Sequence, residues 1–175
     1  NPVLHNLIEI TLNNFPHLQS KEEEEEEDTA ELFVRVVRHS NGVFIGNLVD
    51  GRKEGYGKLI YTDGSIYEGN WFADTIEGYG VMKYQDWGIY KGEWRNGVRQ
   101  GKGTFSYTKG GGYEGEWAQD RFHGQGKYIW GNGEEYEGDW QFGKVTGYGI
   151  LRYEDGRIYQ GQFKRNDRDG IGILI

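Results

Sequence analysis

With 175 residues the chain has the length of one ordinary domain, and without cysteine it can hold neither a disulfide framework nor a thiolate zinc site. Its 30 glycines stand beside 13 Tyr, 8 Phe and 6 Trp, while only 35 % of residues are apolar; this excludes collagen and glycine linkers and points to a thin core. The net charge of −8 sits mainly in residues 1–43, with 9 acidic and 3 basic side chains, against 19 and 17 in residues 44–175, so neither part has the basic footprint of a nucleic-acid binder.

Residues 1–19 place Leu4, Leu7, Ile8, Leu12 and Phe15 at helical spacing, with Pro2 in the first turn and Pro16 as a stop. They predict a short amphipathic helix that is marginal on its own. The segment has no basic region or cleavage signature, so it does not read as a signal peptide. No apolar run reaches the roughly 20 residues that span a bilayer. Residues 20–31 contain the like-charge run KEEEEEED, a flexible acidic linker. Residues 32–43 alternate Leu32, Val34 and Val36 ahead of Asn41-Gly42, which reads as a degenerate partial repeat forming a hairpin. The apolar stripe of the helix has two expected uses: docking on an aromatic surface of this chain or a second copy, or packing on a neighbouring domain.

From residue 44 onward one unit recurs every 23 residues, starting at Phe44, Tyr67, Tyr90, Tyr113, Tyr136 and Tyr159. Two residues on, each copy has glycine, and four on come Leu48, Trp71, Trp94, Trp117, Trp140 and Phe163. Alternation puts the first aromatic, the glycine and the Trp on one face of a strand. Seven residues after the start stand Gly51, Asp74, Gly97, Asp120, Gly143 and Asn166, types that tolerate a left-handed backbone, so each unit turns there. A second strand opens on a glycine pair such as Gly78 and Gly80, and returns apolar side chains and then Tyr61, Tyr84, Tyr107, Trp130 and Tyr153 to the shared face. A glycine inside an alternating strand leaves a hollow on which a neighbouring ring can lie. The turns at Trp87-Gly88 and in the GGG run of residues 110–112 are expected to be irregular.

At these residues the sequence resembles the MORN (membrane occupation and recognition nexus) repeat family, whose signature is YxGxW, a turn, and GxGxxxxxDG. The resemblance covers residues 44–175 in six copies. It implies an all-β fold: a single-layered, elongated, twisted antiparallel sheet of stacked hairpins, here with a short N-terminal helix. It also implies a scaffold or linker of cytoskeletal, ciliary or membrane-associated assemblies, often dimeric, that holds a partner peptide or helix in a groove of the sheet. Departures lie at the ends, where Phe44 replaces Tyr, Leu48 and Phe163 replace Trp, and the last copy stops before its DG turn; capping or truncation of the array accounts for them.

A lone sheet must cover its rings with neighbouring rings, a second copy or a bound segment. The candidate partner-binding groove is therefore Tyr67, Trp71, Tyr90, Trp94, Tyr113, Trp117, Tyr136 and Trp140, with the alternative that the same rings pack on one another as the core. No catalytic set, metal site or cofactor is expected. The four histidines lack ligand spacing, and His123 occupies a turn site filled by Glu54, Glu77 and Gln100 in other copies. GVRQGKGT has three residues rather than four before its GK and lacks the metal-binding Ser or Thr of a phosphate loop. The expected function is a non-catalytic cytoplasmic scaffold binding a protein partner, cytoskeletal or ciliary, with homodimerisation an open expectation. The alternatives are a phospholipid-headgroup linker, which the near-neutral array disfavours, and a regulatory repeat domain of a larger enzyme.

Overall fold

The computed structural model describes residues 34–175, so the helix expected over residues 1–19 and the linker over 20–31 lie outside the described residues. Thirteen strands form one antiparallel sheet in sequence order, each hydrogen-bonded to the next. β1 (Arg35–His39) and the start of β2 (Gly42–Val49) pair as a hairpin where the partial repeat is expected, with Val37 opposite Phe44. The six units follow as hairpins: β2 with β3 (Arg52–Tyr61), β4 (Ile66–Phe72) with β5 (Thr75–Tyr84), β6 (Gly88–Arg95) with β7 (Val98–Tyr107), β8 (Gly112–Ala118) with β9 (Arg121–Ile129), β10 (Glu135–Gln141) with β11 (Lys144–Arg152), and β12 (Ile158–Lys164) with β13 (Asp167–Leu174). Among the described residues there is no second layer and no helix.

The hairpin of each of the six units closes through two left-handed residues, such as Ala73 (φ 44°) and Asp74 (φ 70°), or Phe142 (φ 46°) and Gly143 (φ 84°). Two successive positive φ angles define the type I′ turn, whose twist matches that of the strands it joins. The turns also stack. Asp74 N–H donates to Lys53 O at 3.1 Å and Gly97 N–H to Ile76 O at 3.0 Å, and the same bond recurs at Asp120, Gly143 and Asn166. A side chain from the preceding unit holds the other turn amide: Glu54 accepts from Ala73 N–H at 3.0 Å and Glu77 from Asn96 N–H at 2.8 Å. Gln100 does so for Gln119, and His123 Nδ1 lies 3.5 Å from Phe142 N. His123 thus stands in a row of acceptors, which is why Glu, Gln and His interchange there.

The strand glycines have separate tasks. Gly69 pairs with Gly80 and Trp71 with Ile76, so Asn70 alone faces Glu77, Gly78 and Tyr79; a bulge of this kind recurs in every unit. Gly78 sits at φ 72°, the left-handed conformation of a bulge glycine. Gly80 instead lies under a ring, and a Cβ there would stand 2.6 Å from Tyr67 Cε2. At the two irregular turns, Gly110 and Gly111 both take positive φ, and Trp87 lies 4.1 Å from the Tyr84 ring and 4.9 Å from that of Phe105. The second of these turns adds a ring to the sheet face rather than disrupting it.

Candidate functional site

The eight candidate groove rings share one face of the sheet with Phe44, Tyr159 and Phe163, and the structure buries them all. Tyr67 and Tyr90 are 0 % exposed, Tyr136 1 % and Tyr113 2 %, while Trp71, Trp94, Trp117 and Trp140 range from 3 % to 7 %. A single sheet achieves this by laying each Tyr along its own strand over two facing glycines. Its hydroxyl then reaches the bulge: Tyr67 Oη donates to Asn70 O at 3.1 Å, Tyr90 to Glu93 O at 2.9 Å, Tyr113 to Glu116 O at 2.8 Å and Tyr136 to Asp139 O at 3.2 Å. The bulge in the second strand leaves the carbonyl of the first-strand residue facing it without a ladder partner across that register shift, and an unpaired carbonyl in that position costs about 1–3 kcal/mol. The tyrosine hydroxyl removes that cost.

Tryptophan closes the gap between units. Trp71 Nε1 donates to Gly57 O at 3.3 Å and Trp117 Nε1 to Gly103 O at 3.1 Å, bonds that cross from one unit into the one before. Each Tyr is edge-on to the Trp of its own unit and to the next, as in Tyr67 with Trp71 (5.2 Å, 89°) and Trp94 (5.6 Å, 88°). The quadrupoles of the rings favour this T-shaped geometry. The lattice ends on Phe163, which meets Tyr136 at 5.1 Å and Tyr159 at 5.2 Å, and there the replacement of Trp by Phe omits the indole donor. Burial pushes the hydroxyl pKa of Tyr67, Tyr90, Tyr113 and Tyr136 well above the ordinary tyrosine value.

The first-strand rings therefore form a floor, and a second row supplies the accessible surface above it. Tyr61, Tyr84, Tyr107, Trp130 and Tyr153 are half-buried and pack on the floor from the second strands. Sequence alternation places them on this face, and the missing information was the depth of each row. Between Tyr107 and Phe163 the face opens into a cleft of about 440 Å³, walled by Phe122, Tyr128 and Trp130, with Tyr136, Val145 and Leu151 at its base. Burial likewise pushes the Tyr107 hydroxyl up to about 12, with Tyr128 beside it adding to the shift.

The opposite face is polar and more ordered than a solvated surface. Glu93 Oε1 accepts from Lys102 N–H at 3.0 Å, Glu116 Oε1 from Gln125 N–H at 3.1 Å and Asp139 Oδ2 from Tyr148 N–H at 2.7 Å, so the bulge side chains cap their own bulges. Tyr56, Tyr79 and Tyr148 stand exposed there. Among the described residues no three His, Asp or Glu side chains cluster at metal-ligating distance.

A single sheet of bulged hairpins, ringed on one face and polar on the other, defines a single-layered β-repeat protein. The MORN repeat family model matches residues 44–66, 67–89, 90–112, 113–135, 136–156 and 159–175, and the chain belongs to that family. No curated protein matches the chain. Solved structures similar to it include the SAS-4 (dCPAP) TCP domain in complex with a proline-rich motif of Ana2 (dSTIL) of Drosophila melanogaster. That likeness has 18 % identity and a TM-score of 0.44, covering 88 % of this chain and 91 % of that one.

Proposed function

We propose that the array is a non-catalytic scaffold that binds a protein partner, an extended segment or a helix, along its aromatic face, in a cytoplasmic assembly of cytoskeletal or ciliary type. The observation that carries this reading is the second row of rings. Half-buried aromatics continue along five successive units above a floor whose own polar atoms are satisfied, and no further layer covers them among the described residues. Tyr and Trp are favoured interface anchors because they bring large rigid area and one polar atom each. The eight candidate groove rings serve this surface as its support, and Tyr107, Tyr128 and Trp130 as its contacts.

The test compares partner capture by the intact chain with capture by a Tyr107→Ser, Trp130→Ala variant and by a Tyr79→Ser variant altered on the opposite face. Circular dichroism must show all three folded. Loss of the same captured protein from the first variant alone is expected. Equal recovery by all three would remove the aromatic face from the function.

A further inference from the structure

The repeats show by internal example what this face holds. Nine residues after the first aromatic of each unit stand Lys53, Ile76, Arg99, Phe122, Val145 and Arg168. The Arg99 guanidinium carbon lies 4.5 Å from the Trp117 ring centroid, 5.7 Å from that of Tyr90 and 5.8 Å from that of Phe105. Its Nε meets Asp120 Oδ1 at 2.9 Å. Lys53 repeats the arrangement two units earlier, 5.6 Å from Phe44 and 5.4 Å from Trp71, with Asp74 at 3.2 Å. In the third and first units, then, the ring face is capped by a cation from the chain itself, held by a turn carboxylate.

The fifth unit lacks that cap. Val145 occupies the Arg99 position, and Asn166 occupies that of Asp120. Tyr136, Leu151 and Phe163 take the places of Tyr90, Phe105 and Trp117. All five of these residues line the 440 Å³ cleft. Valine stops short of arginine by the whole guanidinium group, and the cleft opens where that group lies in the third unit.

The cleft also holds a carboxylate that forms no salt bridge: Glu134 borders Arg157 in an adjoining hollow, but that guanidinium is held by Asp155 at 2.7 Å. Glu134 lines the cleft from just ahead of β10, two residues before Tyr136. Among the described residues the Glu134 carboxylate has no hydrogen bond or ion pair, and no Lys or Arg lines the cleft. Placing an apolar side chain against it would desolvate an unpaired carboxylate, and an acidic or phosphorylated one would meet like charge.

We propose that this cleft receives an arginine side chain from the partner's segment. The guanidinium enters the space that Arg99 fills two units earlier, lies against Tyr136 and Phe163 as Arg99 lies against Tyr90 and Trp117, in the cleft that Tyr128 and Trp130 also wall, and takes Glu134 as its counter-charge. Arginine suits the site better than lysine because its planar fork stacks on rings and pairs with a carboxylate at once. The inference rests on the partner-binding reading of this face and adds the chemistry of the anchor.

The experiment titrates N-acetyl-arginine amide into the full chain labelled with nitrogen-15, with N-acetyl-norleucine amide as the uncharged control. The Trp130 indole signal is expected to shift saturably with the arginine probe alone. Glu134→Gln should weaken that binding at least fivefold. Val145→Arg with Asn166→Asp, which rebuilds the Arg99–Asp120 pair in the fifth unit, should close the site. An arginine probe that leaves Trp130 unmoved, or binds Glu134→Gln as tightly as the parent, overturns the proposal. A second arm selects displayed random dodecapeptides on the same chain. Peptides that need Trp130 but carry no basic residue would refute the arginine anchor and leave the partner-binding reading standing. A selection in which no peptide depends on Tyr107 or Trp130 would count against that reading itself, while the titration still decides the cleft.

Discussion

Two rows of rings lie on one face of this sheet, and they differ in what they are tied to. First-strand rings such as Tyr90 and Trp94 sit over glycines, hydrogen-bond to backbone carbonyls at 2.9 Å and 3.4 Å, and are almost fully covered. Second-strand rings such as Tyr107 and Trp130 rest on that lattice and keep part of their surface open. A protein with one layer has no interior to spare, so the same residue types divide the work by depth: one row holds neighbouring units together and the other is available to a partner. The comparison can be broken by perturbing each row separately.

The largest separation is expected from alkali. Four floor tyrosines, Tyr67, Tyr90, Tyr113 and Tyr136, have hydroxyl pKa values raised above the unfolded value of 10 because burial disfavours the phenolate. A raised folded-state pKa gives stability that is whole below pH 10 and lost as pH climbs toward the folded value. Each group then removes about 1.4 kcal/mol per pH unit, and four together on the order of 5 kcal/mol by pH 11. That is comparable to the whole stability of a domain of this kind. Tyrosinate absorbance should therefore rise cooperatively with loss of sheet signal in circular dichroism. A smooth non-cooperative titration of these hydroxyls with the sheet intact would show the floor to be solvated.

Next in size is Trp94→Ala. It removes a side chain 5 % exposed, its bond to Gly80 O and its edge contacts with Tyr67 and Tyr90. A loss of about 3–5 kcal/mol in urea denaturation is expected for a buried Trp truncated to Ala. Gly80→Ala follows, at about 1–3 kcal/mol, because its methyl must displace the Tyr67 ring. Gly131→Ala is the control: the nearest atom to its Cβ is Lys109 O at 3.6 Å, an ordinary contact. Equal effects at Gly80 and Gly131 would mean that the glycines act through chain entropy and not through the rings they carry.

Much of this was legible in the sequence. The 23-residue period, the hairpin, the turn positions and the separate role of a glycine between Tyr and Trp all follow from spacing and alternation. Depth within the face did not, because it depends on register. Tyr67 reaches the Asn70 carbonyl only because a bulge frees it, and the bulge is a mismatch between two strands rather than a property of either. Tyr67 and Tyr61 are the same residue type on the same face; Gly69 marks a hollow beside Tyr67, but alternation alone does not give the depth of either ring. Turn capping was legible in principle. Glu54, Glu77, Gln100 and His123 share nothing but a hydrogen-bond acceptor, and that common feature marks the position as a turn cap.

The smallest expected effect is the most discriminating. Tyr107 packs against Phe105 at 4.6 Å and Tyr128 at 6.1 Å, both tilted, and stays half-buried. Replacing it with Ala removes two ring pairs of modest strength and part of one side chain's burial, with the glycine lattice beneath left whole. A cost of about 1–2 kcal/mol is expected, well under that of Trp94→Ala. Partner affinity should move the other way, falling more for Tyr107→Ala than its stability does. If urea denaturation instead placed Tyr107→Ala beside Trp94→Ala, the second row would be part of the core, and the division of labour between the two rows would not exist.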